Sequence, residues 1–185
     1  FEEENSLPYP VISGEGEKKW LEFLELTGKE EAPSQEVLTR WRTFGTDLPE
    51  LIPPYLKEDF PHLKNRIVYF ETSRGCPYLC SFCLSALDKT VRYFDEASIQ
   101  SQIQELINAG IKKIKFVDRT FNLKPGRMKE LMQWLTQFKG NEFHFEVVGD
   151  ILTADILDFL ATVPPGMFQF EIGIQTTTES VQETI

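Results

Sequence analysis

The chain has three cysteines, Cys76, Cys80 and Cys83, and all three fall in one run, ETSRGCPYLCSFCLS. Their CxxxCxxC spacing puts three thiolate donors on a single short loop. Four residues of extended chain reach at most about 14 Å, so a curled loop can set three sulfurs around a metal cluster. Gly75 and Pro77 allow a sharp turn and reduce crowding where backbone approaches such a cluster. Thiolates are the usual ligands of iron–sulfur clusters, and an electron-transfer cubane takes four. Three ligands leave one iron of a 4Fe–4S cluster open for a reacting molecule. Competing readings remain. A structural zinc needs a fourth ligand, His62 or His144, and neither histidine lies in the loop. Unligated thiols are a second alternative. A redox pair of Cys80 and Cys83 is a third, and it leaves Cys76 unexplained. Either way, an odd cysteine count is a poor disulfide framework, which points to a reducing, cytoplasmic setting.

These residues need a scaffold, and the pattern from Arg66 onward supplies one. Ile67–Glu71 is a continuous apolar run of strand length, immediately before the cysteines. Asp95 is placed to cap a helix carrying Ile99, Ile103, Leu106 and Ile107, stopped by Gly110. Lys113–Asp118 reads as the second strand, and Pro125 opens a helix that Gly140 ends. Phe143–Val148 is a third strand, Thr153 caps a third helix, and Phe168–Gln175 is a fourth strand. A last helix starts near Thr178. Four βα units in succession imply an α/β fold with a parallel sheet, open to a barrel or a doubly wound arrangement. Candidate site residues at the carboxyl ends of successive strands favour a partial (β/α) barrel, whose rim is where chemistry is built.

Residues 28–65 are broken by Pro33, Pro49, Pro53, Pro54 and Pro61 and read as a connector, with a short helix around Gln35–Phe44. Before it, residues 1–27 read as a strand (YPVIS), a turn (GEGE) and a helix (Lys18–Leu26). The expected organisation is thus 1–27, 28–65 and 66–185. Both termini read as those of a fragment. A 41% hydrophobic content with 26% charged residues is ordinary for a globular protein. The net charge of −10 argues against a surface that tracks nucleic-acid phosphates. No run of 18 apolar residues is available to span a membrane.

The cysteine spacing, with Phe82 just before Cys83, resembles the signature of the radical S-adenosylmethionine (SAM) superfamily. The flanking TSRGCPYLCSFC resembles its subgroup with an N-terminal cobalamin-binding domain, and the likeness runs from about Tyr9 to the end. VISGEGEKKWLEFL then looks like the tail of that Rossmann-like domain. The resemblance implies a 4Fe–4S cluster on the three cysteines, SAM on its open iron, and cobalamin in the full-length protein. It further implies a 5′-deoxyadenosyl radical that abstracts hydrogen, or cobalamin-linked methyl transfer. An electron donor such as flavodoxin or ferredoxin would be the partner, and the substrate is not specified. The alternative is an iron–sulfur electron carrier or a structural metal module without SAM chemistry.

Carried over residue by residue, Phe82 would lie beside the SAM adenine. Asp118, where the family often has a glycine-rich turn, would meet the SAM amino group; its competing role is to orient the Arg119–Leu123 loop. Glu146, an acid inside the apolar strand FHFEVV, would contact SAM or else form a buried salt bridge. Gln175 would contact the ribose or carboxylate, and Gly173 would let backbone approach the ligand. Glu171 is expected on the face of Gly173 and Gln175. Arg74 is either a source of positive charge beside the cluster or a surface residue.

Overall fold

The computed structural model describes residues 11–29, 31–42 and 52–182. The chain divides between residues 49 and 50 into two compact units. In the first, α1 (Glu17–Gly28) and α2 (Gln35–Arg42) pack through Trp41, which is fully buried. Its indole N–H donates to the Glu22 carboxylate at 2.7 Å, and its ring meets Phe23 edge-on at 6.0 Å. Lys19 Nζ donates to the Ser13 and Trp41 carbonyls at 2.7 and 3.2 Å, and the Ser13 N–H also donates to Trp41 O. Val11–Ser13, expected to be part of a strand, are irregular backbone instead, with Ser13 held by these bonds. Tyr9, Pro10 and Phe44 lie outside the described residues.

The second unit is built on four parallel strands: β1 (Ile67–Phe70), β4 (Lys113–Phe116), β5 (Glu142–Val147) and β6 (Phe168–Ile172). They lie side by side in chain order, β1-β4-β5-β6. A doubly wound sheet reverses its order at a switch point; this one runs in one direction, as a partial barrel does. Two more strands, β2 (Ser73–Arg74) and β3 (Arg92–Tyr93), form a separate antiparallel ladder. Helices α4 (Glu96–Asn108), α5 (Pro125–Leu135) and α6 (Ala154–Leu160) fall between the strands of the main sheet. A one-turn α3 (Phe60–Leu63) precedes β1, and α7 (Glu179–Gln182) follows β6.

Strand alternation sorts the side chains into two chemistries. Val68, Phe70, Ile114, Phe116, Phe143, Phe145 and Val147 are buried on one face. The helices bring Ile99, Ile103, Met128, Leu131, Met132, Leu135 and Ile156 into the same core. Four aromatic rings cross it in register: Phe70 meets Phe116 edge-on at 6.1 Å, Phe116 stacks on Phe145 at 4.9 Å, and Phe145 stacks on Phe170 at 5.8 Å. Phe121 packs against both Phe116 and Phe145, at 5.3 and 4.6 Å. Such pairs add about 0.5–1.5 kcal/mol each beyond area burial. The opposite face carries Lys113, Lys115, Glu142, His144, Glu146, Gln169 and Glu171.

Helix ends follow the expected chemistry in part. The Ser98 N–H donates to the Asp95 carboxylate at 2.9 Å, and Gly110, at φ +94°, reverses the chain after α4. Thr153 precedes α6 but its side chain makes no cap bond; only its carbonyl accepts, from Ile156 and Leu157. α5 ends at Leu135, before Gly140, which turns the chain into β5. The outer edge of β1 is covered by Tyr55, whose hydroxyl accepts from the Tyr69 N–H at 3.0 Å and donates to its carbonyl at 3.1 Å.

Because Phe116 is fully buried and touches three other rings, Phe116→Ala should cost about 3–5 kcal/mol. Chemical denaturation should show an earlier midpoint; a loss below about 1 kcal/mol would mean that the ring ladder does not hold the sheet.

Candidate metal and cofactor centre

The cysteine loop leaves the carboxyl end of β1 and returns at β3. Its neck is closed by the β2–β3 rungs, Ser73 opposite Tyr93 and Arg74 opposite Arg92. Inside the neck the Cys76 N–H donates to Asp88 O at 3.0 Å, and Arg92 pairs with the Asp88 carboxylate. Gly75 sits at φ +91°, and a Cβ there would overlap the Thr90 carbonyl oxygen. The crossing of two backbones, as much as the positive φ, therefore demands glycine. Farther out, the Cys83 N–H donates to Cys80 O at 3.0 Å, and Cys83 opens a 3-10 turn over Leu84–Leu87.

All three thiols are free. Cys76 is only 9% exposed, Cys80 is half-buried and Cys83 is exposed. The Ser85 amide and hydroxyl hold the Cys83 thiol below the usual range, and the Arg119 charge adds to the effect, although no cap bond to the sulfur is completed. Among the described residues, no three His, Cys, Asp or Glu side chains converge as ligands of a single metal ion. His144 lies on β5 with Nε2 3.3 Å from the Glu171 carboxylate. The three thiols are unpaired donors of the type iron–sulfur clusters take, carried on one glycine-containing loop.

The segment Asp118–Asn122, just beyond β4, underlies this loop. Asp118 is 1% exposed, and its carboxylate accepts from the Thr72 N–H (3.1 Å), the Thr72 hydroxyl (2.6 Å) and the Ser73 hydroxyl (2.5 Å). Burial raises its pKa, while the Ser73 and Thr72 bonds and the Arg127 charge oppose that rise. Both carboxylate oxygens are thus engaged by the root of the cysteine loop, and Asp118 orients that root rather than the Arg119–Leu123 loop. Arg127 Nη1 donates to the Thr72 hydroxyl at 3.2 Å, pairs with Glu96 at 3.4 Å and lies 4.8 Å over the Tyr93 ring. Thr120 Oγ1 lies 3.7 Å from Cys76 Sγ. Asn122 acts as a peptide group on β5: its side-chain N–H donates to Val148 O at 2.8 Å and its oxygen accepts from the Val148 N–H at 2.9 Å.

On the polar face of the sheet, Lys115 Nζ lies 3.1 Å from Glu146 and 2.9 Å from Glu171. Its bonds to Glu171 and Glu146 raise the Lys115 pKa, and the Lys115 bond lowers that of Glu171. Glu146 therefore has a cation partner and lies on the face away from the aromatic core. β6 ends at Ile172, short of the expected Gln175, so strand alternation does not carry from Glu171 to Gln175. Gln175 is the one non-glycine residue at positive φ among the described residues, +58°, and its amide occupies the space a Gly173 side chain would need. Phe82 is 56% exposed at the tip of the cysteine loop. Arg74 is paired with Glu71 at 2.8 Å and lies 5.4 Å from the Phe94 ring, so its charge is already matched.

Thr72, Ser73, Thr120, Asn122, Arg127 and Lys115 were not legible as site residues from the sequence. The available signal was the alternation of Asp118, Thr120 and Asn122, small polar residues too close to a buried strand to be solvated.

Of the three thiols, Cys83 should alkylate fastest and Cys76 slowest in the metal-free protein. A lowered pKa means more thiolate at neutral pH, so the rate of Cys83 modification should reach half its maximum below the ordinary thiol range. Arg119→Gln should move that midpoint upward, as read by mass spectrometry of iodoacetamide-labelled peptides across pH. An unchanged midpoint would remove Arg119 from the Cys83 environment.

Residues 70–185 match the radical SAM superfamily. The chain is 34% identical over 73 residues to the cobalamin-dependent radical SAM methyltransferase TokK of Streptomyces tokunonensis, covering 38% of this chain and 11% of that protein. It is 33% identical over 90 residues to the uncharacterized methyltransferase PH0819 of Pyrococcus horikoshii, covering 41% of this chain and 19% of that protein. Among solved structures it resembles the radical SAM methyltransferase TsrM of Kitasatospora setae, determined with cobalamin and a [4Fe–4S] cluster bound. That match has a TM-score of 0.64 at 15% identity, over 91% of this chain and 39% of the other. The chain thus spans well under half the length of each of these proteins. A loop of three free thiols at the carboxyl end of the first strand, followed by parallel βα units in sequential order and a match over residues 70–185, places this chain in the radical SAM superfamily.

Proposed function

We propose that this chain is the cluster- and SAM-binding part of a radical SAM methyltransferase that works with cobalamin in the whole protein. The observation that carries the reading is the cysteine loop: three unpaired thiols beyond β1, on a neck closed by backbone bonds and underlain by Asp118–Asn122. The methyltransferase relatives support methyl transfer over oxidation. The expected division into 1–27, 28–65 and 66–185 fits this reading, with the first part the tail of a cobalamin-binding domain.

When bound, the cluster and SAM supply one-electron or methyl-transfer chemistry that no side chain provides. Cys76, Cys80 and Cys83 hold the iron as thiolates. Asp118 keeps the loop root fixed through Thr72 and Ser73 and is the carboxylate proposed to face the SAM amino group. Phe82 offers an exposed ring for the adenine. Glu146, with Lys115 balancing its charge, is available to ribose hydroxyls or a sulfonium. The amide of Gln175, three residues beyond β6 and lying over Gly173, is the polar group offered to the ribose or carboxylate. Free thiols suit a reducing cytoplasm, with a flavodoxin- or ferredoxin-type protein delivering the electron. No helix among the described residues is long and apolar enough to cross a membrane.

Anaerobic reconstitution of the full chain with iron and sulfide should load about four irons and give a brown chromophore. Replacing any one of the three cysteines by alanine should remove most of that iron. SAM should change the EPR signal of the reduced wild-type protein. With cobalamin and methyl-labelled SAM, the whole protein should pass label to cobalamin. Iron loading that survives Cys76→Ala, or an EPR signal indifferent to SAM, would defeat the proposal. Release of 5′-deoxyadenosine without label transfer would move it to hydrogen abstraction.

A further inference from the structure

The cysteines do not have equal surroundings. Cys76 is the buried one, and Thr120, only 6% exposed, holds its hydroxyl 3.7 Å from the Cys76 sulfur. Asp118 and Asn122 fix Thr120 from both sides: one is locked to Thr72 and Ser73, the other clamps the Val148 peptide. The Phe121 N–H adds a bond to Glu146 O at 3.0 Å between them. The backbone at Thr120 is therefore anchored on both sides, opposite Cys76. In the free thiol either atom of the pair can donate. Once Cys76 is bound to iron its sulfur carries no proton, and only the Thr120 O–H can be the donor.

We propose that Thr120 tunes the reduction potential of the cluster by donating a hydrogen bond to the Cys76 sulfur, a positioning and tuning residue that the sequence did not reveal. This rests on the cluster assignment above. Reduction adds negative charge that is shared by the ligand sulfurs, so a buried donor stabilises the reduced state more than the oxidised one. The hydroxyl thus raises the potential and makes the cluster easier to reduce. The geometry also confines the effect to one corner: Cys80 is half-buried, and Cys83 is exposed with Ser85 as its neighbour.

The test compares wild type, Thr120→Val and Thr120→Ser in the full chain, reconstituted anaerobically and titrated potentiometrically with EPR detection. Valine keeps the volume and removes the donor; serine keeps the donor. At a fixed potential, Thr120→Val should lower the ratio of reduced to oxidised cluster about threefold, a shift of about 28 mV for one electron. Thr120→Ser should stay at the wild-type potential. Should the valine variant load no iron, Thr120→Ala removes the same hydroxyl with less bulk and is expected to show the same shift. Equal potentials in wild type and the donor-free variant, at equal iron content, would overturn the inference while leaving the cluster intact. A wild-type chain that takes up no cluster would instead overturn the underlying assignment and this inference with it.

Discussion

Asp118 is a carboxyl group in a place that water does not reach, and much of the site is arranged around that fact. Removing a carboxylate from water costs several kcal/mol, and each hydrogen bond to a charged acceptor returns about 1.5–3 kcal/mol. Three donors from Thr72 and Ser73 roughly balance the cost. What Asp118 contributes is therefore position more than net stability. It sits at the end of β4 and holds the chain as it leaves β1, so the cysteine loop starts from a fixed point on the sheet. Arg127 reinforces the arrangement by reaching the same Thr72 from α5.

The two faces of the sheet divide the remaining tasks. The aromatic face makes a rigid layer, because rings stacked across parallel strands cannot shift singly. The polar face keeps Lys115, Glu146, Glu171 and His144 within ion-pair reach of one another. In a partial barrel that face lines the interior, where a cationic, ribose-bearing ligand would need carboxylates already compensated by a cation. A rigid rear layer and a charged front layer together make a platform that holds polar groups in place before a ligand arrives.

Much of this was readable before the structure. The cysteine spacing, the four βα units and the Asp95 cap rest on short-range patterns, and all were found close to their expected positions. Gly75 was expected to ease a turn; the structure adds that it admits a second backbone at Thr90. The β2–β3 ladder was missed, since two-residue strands leave no periodicity to detect. Val11–Ser13, expected within a strand, are irregular, and Ser13 bonds to Trp41 and Lys19 instead of to a sheet.

Residue types and local spacing determined the three-thiol loop and the alternation of strands and helices, because side-chain identity and periodicity are local properties. Only the tertiary structure decided how the donors differ. Residues 72 and 118, or 76 and 120, are far apart along the chain, and only parallel pairing of β1 with β4 brings them together. Burial of Cys76 and engagement of Asp118 follow from that packing, and the pairing of Glu146 with Lys115 follows from that of β4 with β5. Such environments depend on what the sheet places opposite a residue, which its sequence neighbours do not specify.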